Sequence, residues 1–268
     1  MNLKDITLGQ FFPGDSFLHR LDPRMKLLGL ICYLVALFLA NWFVTYAVML
    51  ALLVCGCAVA HIRPKALLGG LKPVIFLLVF TAVLNMFYTP GTPWVSFWIF
   101  TITYEGVLHA FFMVVRIMML ICATFLLTYT TSPLALTDAL ESLLSPLKKV
   151  RVPVHELAMI MSIALRFIPT LIEETDKIMS AQRARGADFD SGGLIRKAKA
   201  LIPLLVPLFI SALRRAEELA TAMECRCYHG GQGRTRMNQL RLRPSDWVFL
   251  VCMVVLAVAI GLLAGRGL

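Results

Sequence analysis

Charge is scarce in this chain: only 16% of its 268 residues are Asp, Glu, Lys or Arg, and the acidic residues number 16 against 26 basic ones. So little charge beside 59% hydrophobic residues excludes an ordinary soluble domain, where about a quarter of residues are charged. The apolar runs are long enough to cross hydrocarbon, which makes this an integral membrane protein. Its net charge of +10 comes with no nucleic-acid-binding motif, and its aromatics sit in apolar runs, so the charge is an orientation signal and no nucleic-acid partner is expected. No Gly-x-x-x-x-Gly-Lys-Ser/Thr phosphate loop occurs, and "GGLIRKAK" lacks both its spacing and its hydroxyl, so the chain is not expected to hydrolyse ATP. "HELAM", from His155, has Met159 where the zinc-protease pattern needs a second His; His155 and Glu156 are read as decorating a helix start.

Seven cysteines do not make a disulfide framework. Cys32, Cys55, Cys57, Cys122 and Cys252 lie in apolar segments, where cysteine behaves as a small hydrophobe. Cys225 and Cys227 fall in a region assigned below to the reducing cytosol. With His229 they resemble the start of a soft-metal site, so a metal-dependent membrane enzyme is one reading. The ligands are too few, and neither a metal nor a cofactor is expected. "MNLKDITLGQFFPGDS" has no apolar h-region, so the first span is expected to serve as the insertion signal.

From Leu27 to Ala60 the chain is almost entirely apolar, and one helix of that length would extend about 51 Å against a hydrocarbon core of about 30 Å. Arg20, Arg24 and Lys26 precede the run and Arg63 and Lys65 follow it, so the positive-inside rule asks for two crossings, turning near Asn41-Trp42. Asp22-Pro23 reads as the N-cap and first position of the first helix. The expected spans are 27–41, 43–60, 73–88 and 106–130 after an N-terminal cytoplasmic segment, 1–26. The stretch "YTPGTPWVSFWIFTITYEG" has no Lys or Arg and is read as an external loop with Trp94 and Trp98 at the interface. Residues 131–245 are expected to form a large cytoplasmic or membrane-surface region built of helices, since 17 of the 26 Lys and Arg residues lie between Thr131 and Asp246. A fifth span within 246–268 then places the C-terminus outside, with only Arg266 beyond it. The segment Leu201–Leu213 contains Pro203 and Pro207 and is short for a crossing, so it is read as a kinked interfacial helix.

Two segments of the basic region have clear helical periodicity. In the first, apolar Leu157, Ile160, Met161, Ala164 and Leu165 begin a stripe opposite Arg166, Glu173, Glu174 and Lys177. In the second, Phe209, Ala212, Leu213 and Ala216 lie opposite Arg214, Arg215, Glu217 and Glu218. Their ends align as "SAQRARGAD" and "TAMECRCYH", setting Arg185 against Arg226 at an offset of 41 residues. Helix-breaking stretches follow each, Asp188 to Gly193 and Gly230, Gly231 and Gly233. Each arginine therefore belongs at a helix C-terminus, where a cation complements the dipole. Small neighbours leave its planar fork free to enter a partner's pocket.

With these motifs in view the chain resembles the transmembrane T component of the energy-coupling factor transporters, ABC importers for vitamins and metal ions. The likeness is carried by "GQFFPGDSFLHRLDPRMKLL", "RFIPTLIEETDKIMSAQRARGADF", "PLLVPLFISALRRAEELATAMECRCYHGGQGRTR" and the five-span order. The long N-terminal match is closer to the shared type, serving several S components, than to the type dedicated to cobalt or nickel. The resemblance implies an all-α membrane protein with about five transmembrane helices and two long amphipathic coupling helices. It implies two cytoplasmic ABC-type ATPase subunits and a membrane-embedded S component as partners, and no catalysis by this chain. Short motifs usually reading Ala-Arg-Gly dock into the ATPases in that family. The first matches here at Ala184, Arg185 and Gly186; the second departs as Cys225, Arg226 and Cys227 and keeps the arginine.

Arg116 lies about ten residues into the fourth span, where an unpaired charge costs about 2.5 to 3.5 kcal/mol. It is expected to face protein or water, either as a functional intramembrane charge or in a static pairing with a helix end. The rival reading is an autonomous secondary carrier with a site between spans. Against it, the spans offer little polar lining beyond Asn85, Arg116 and a few hydroxyls.

Overall fold

A computed structural model describes residues 11–88, 93–97, 100–187, 189, 193–231 and 240–265. The expectations placed on Trp98, Asp188, Gly233 and Arg266 lie outside these residues. The described chain divides into two compact units, residues 11–139 with 240–265, and residues 140–231.

In the first unit, α1 (Phe17–Arg20) leads into α2 (Pro23–Leu39), which is started by Asp22: its Oδ1 accepts the Arg24 N–H at 2.9 Å, and Pro23 supplies a preset φ. The apolar run then breaks at 40–42 and resumes as α3 (Phe43–Val59), where the Thr45 hydroxyl both accepts from Trp42 N–H and donates to its carbonyl. At 17 residues each, α2 and α3 rise about 26 Å.

The next helical stretch is longer than 73–88. α4 (Pro64–Leu71), a 3₁₀ turn at Lys72–Val74 and α5 (Ile75–Tyr88) make one apolar stretch, Pro64–Phe87, long enough to cross. Pro73 does not end it because the tighter turn places proline in its first positions, where no N–H is needed. The loop that follows contains regular structure: β1 (Pro93–Phe97) and β2 (Phe100–Thr103) pair antiparallel, with Val95 opposite Ile102 and Ser96 opposite Thr101. β-branched and aromatic residues favour such pairing. α6 (Tyr104–Thr130) starts where Thr103 Oγ1 accepts the Gly106 N–H at 3.1 Å. Gly106 has no alternative here, since a Cβ would stand 2.9 Å from the Met86 carbonyl oxygen at the end of α5.

α10 (Pro244–Gly265) packs along α2, and the two begin side by side. Asp246, 1% exposed, accepts the Arg243 N–H on Oδ2 at 2.7 Å and the Asp22 N–H on Oδ1 at 3.1 Å, so one buried carboxylate serves the starts of both helices. Lys26 Nζ donates to the Thr130 carbonyl at 2.9 Å and to the His19 carbonyl at 3.3 Å, tying the end of α6 and α1 to the same place. Tyr33, Leu37, Tyr46, Met49, Met119, Ala123, Met253 and Ile260 form the core between α2, α3, α6 and α10. Outside it, Phe43 and Phe76 are 66% and 81% exposed, a surface suited to hydrocarbon.

α7 (Pro133–Leu143) carries the chain into the second unit, which holds α8 (Val154–Ala184) and α9 (Leu194–Cys225). Leu201–Leu213 is the middle of the longer helix α9. Pro207 lacks the N–H that would meet the Pro203 carbonyl, and Gln182 Nε2 of α8 donates to that carbonyl at 3.3 Å, so the helix continues through both prolines. By length and composition α8 also qualifies as a crossing, as the least apolar of the four helical stretches among the described residues that do, since it carries Arg166, Glu173, Glu174 and Lys177. The whole is an all-α integral membrane protein.

Candidate functional site

The two arginine motifs occupy the same backbone device. Ala184 is the last helical residue of α8, Arg185 is the C-cap, and Gly186 follows at φ +88°. The Gly186 N–H donates to the Arg183 carbonyl at 2.9 Å and the Ala187 N–H to the Gln182 carbonyl at 3.0 Å, the paired bonds of a Schellman motif. At the other end Cys225 closes α9, Arg226 is the C-cap, and Cys227 stands at φ +55°. The Cys227 N–H donates to Glu224 at 2.8 Å and the Tyr228 N–H to Met223 at 3.0 Å. The two ends share both bonds of the motif, and differ in that the Arg185 N–H also reaches the Ala181 carbonyl, four residues back, at 3.2 Å.

This revises the reason for the small residues. The residue after each arginine must turn left-handed to stop the helix, which glycine does freely and any other L-residue does at a cost of about 1 to 2 kcal/mol. Gly186 is thus required by the backbone as much as by space around the guanidinium, and Cys227 carries a strain that Gly186 avoids. All six motif residues are exposed, and each arginine sits among the carbonyls at the negative end of its helix. Among the described residues, no three of His, Cys, Asp and Glu are grouped so as to hold a metal ion.

α8 and α9 meet through polar residues. The Glu174 carboxylate accepts from Arg215 Nη2 at 2.5 Å on one oxygen and from the Ser211 hydroxyl on the other. Amphipathic helices in water bury their apolar stripes against each other, but here Leu157, Ile160 and Met161 on α8 and Leu205, Phe209 and Ile210 on α9 stay exposed. Their periodicity was visible in the sequence; which face would be covered was not. His155 is more than a decoration of the α8 start, since its Nδ1 lies 3.0 Å from Glu141 Oε1 at the end of α7 and fastens the two helices.

Arg116 has partners that sequence reasoning could not name. Nε donates to the Tyr46 hydroxyl at 2.8 Å and Nη2 to the Ala40 carbonyl at 2.8 Å, at the C-cap of α2. The guanidinium also lies 5.7 Å from the Tyr46 ring centre and 5.9 Å from that of Phe38. A helix C-terminus and two aromatic faces offset part of the cost of a charge within a span.

Comparison with known proteins covers most of the chain. The family model CbiQ, described as cobalt transport protein, matches residues 14–237. The chain is 54% identical over 256 residues to the energy-coupling factor transporter transmembrane protein EcfT of Clostridium kluyveri, covering 95% of each chain. It is 52% identical over 244 residues to the protein of the same name from Ruminiclostridium cellulolyticum, covering 91% of each. That of Lactococcus lactis subsp. cremoris is 42% identical over 257 residues, covering 96% of this chain and 97% of its own.

Proposed function

Because the chain belongs to the energy-coupling factor transporter transmembrane components, we propose that it is the force-transmitting subunit of an ABC importer and does no bond chemistry of its own. Arg185 and Arg226 dock two ATPase subunits, and an S component in the same membrane binds the vitamin or metal ion. The module is of the shared type, serving more than one S component. The N-terminus is cytoplasmic and the C-terminus external, following the distribution of Lys and Arg.

The observation that supports this reading is the repetition of one cap at two helix ends, each holding an exposed arginine at the same position. Two similar prongs suit two similar sockets lined by carboxylates or helix-end carbonyls, which a guanidinium fork pairs with best. A prong transmits movement only if its shaft is stiff. α8 and α9 are 31 and 32 residues long, about 46 to 48 Å, and the Glu174, Arg215 and Ser211 contact joins them partway. ATP binding and hydrolysis would shift the two arginine-tipped ends together, and the apolar stripes of these helices would carry the shift to the S component.

Purification of the assembled transporter from cells carrying Arg185→Glu or Arg226→Glu tests this. Each variant chain is expected in the membrane at normal level, with the ATPases lost from the complex and uptake abolished. Normal assembly and uptake in both variants would sink the docking role. Uptake by the chain alone in liposomes, with no ATPase present, would identify an autonomous carrier instead.

A further inference from the structure

A second feature, independent of the docking ends, lies in the unit of residues 11–139 and 240–265. A cavity of about 290 Å³ opens between α3, α5 and α6, lined by Tyr46, Asn85, His109, Phe112, Met113 and Arg116. His109, Phe112, Met113 and Arg116 are spaced i, i+3, i+4, i+7, one stripe of α6, so imidazole and guanidinium look into the same space. Its described lining contains no carboxylate. The two acceptors bonded to Arg116, the Tyr46 hydroxyl and the Ala40 carbonyl, are both neutral, and a guanidinium has five N–H donors. The site therefore holds a positive charge that its walls orient and do not neutralise.

Location says what kind of anion reaches it. Tyr46 is in the first turn of α3, Asn85 in the last turn of α5, His109 in the second turn of α6, and Ala40 caps α2. All four belong to the end of the bundle where the 40–42 turn and the β1–β2 hairpin join the helices. Helical side chains lean toward the N-terminus, so Arg116, though three turns into α6, directs its charge toward that end. Around it Phe43, Val44, Leu108 and Phe111 are exposed, an apolar surround suited to acyl chains.

We propose that this cavity binds the phosphate of an anionic phospholipid, held by Arg116 and His109, with the acyl chains lying on the exposed apolar residues beside it. A charge-assisted bond to phosphate is about twice as strong as a neutral one. Native mass spectrometry of the full-length chain, released from bilayers of equal phosphatidylglycerol and phosphatidylcholine with matched acyl chains, reads the preference directly. The wild type is expected to retain phosphatidylglycerol about tenfold more than phosphatidylcholine, and both Arg116→Gln and His109→Gln to reduce that ratio about threefold or more. Arg116→Gln also disturbs the bonds to Ala40 and Tyr46, whereas His109→Gln leaves them intact and so isolates the lipid contact. Equal retention of the two lipids by the wild type overturns the proposal, as does loss in Arg116→Gln alone. Displacement of the retained lipid by millimolar inorganic phosphate would assign the site to a free anion and overturn the lipid as its source.

Discussion

The ends of α8 and α9 are closed by the same two hydrogen bonds, with an arginine at the same cap position, yet the left-handed residue is Gly186 at φ +88° in one and Cys227 at φ +55° in the other. What the two ends share is the geometry that presents a guanidinium; what separates them is how much backbone strain that presentation costs. The comparison shows that "ARG" and "CRC" are one motif read through its backbone, although only the arginine is common to both as letters. It also gives the Cys-x-Cys spacing a meaning that needs no metal: Cys225 is the last helical residue and Cys227 the stop.

The largest expected effect comes from breaking one end at a time. If two prongs seat in two sockets, Arg185→Glu and Arg226→Glu each lower recovery of ATPase with the complex at least about tenfold, a loss of roughly 1.4 kcal/mol or more. A strong effect at Arg185 and none at Arg226 would leave the second end without a docking role. Exchanging the third residues probes the strain itself. Cys227→Gly should raise stability by about 0.5 to 1 kcal/mol, the left-handed penalty of about 1 to 2 kcal/mol less the flexibility that glycine adds to the unfolded chain. Gly186→Cys should lower it by a similar amount. Thermal unfolding of the purified protein reads both, and shifts of the same sign would refute the capping account. The smallest effect belongs to the link between the helices: Glu174→Gln replaces a part-exposed ion pair and should cost about 0.5 kcal/mol in unfolding free energy, falling further at high salt. A large loss of uptake at that small stability cost would show that the contact keeps the two ends in step.

Some of this was legible in the residues alone. Apolar runs marked the apolar helices, Asp22-Pro23 marked the start of α2, and the alignment of "SAQRARGAD" with "TAMECRCYH" found two arginines that cap helices at the same position. What went unread depended on a local turn in one place and on contacts between distant residues in the others. α9 runs through Pro203 and Pro207 because Gln182 from another helix supplies the missing donor. The apolar helical stretch before the hairpin begins at Pro64 because a 3₁₀ turn accommodates Pro73. Arg116 finds its acceptors 76 and 70 residues away, at Ala40 and Tyr46.

By itself the sequence determined that this is a helical membrane protein, the period of its helices and the positions of their charges, because hydrophobic transfer and helical spacing act on neighbours along the chain. Only the tertiary structure decided which faces of α8 and α9 are left open, what surrounds the Arg116 charge, and that one buried carboxylate, Asp246, starts two helices. Those outcomes rest on polar groups removed from water, and such a group takes whatever partner the fold brings within about 3 Å, however far off it lies in the chain.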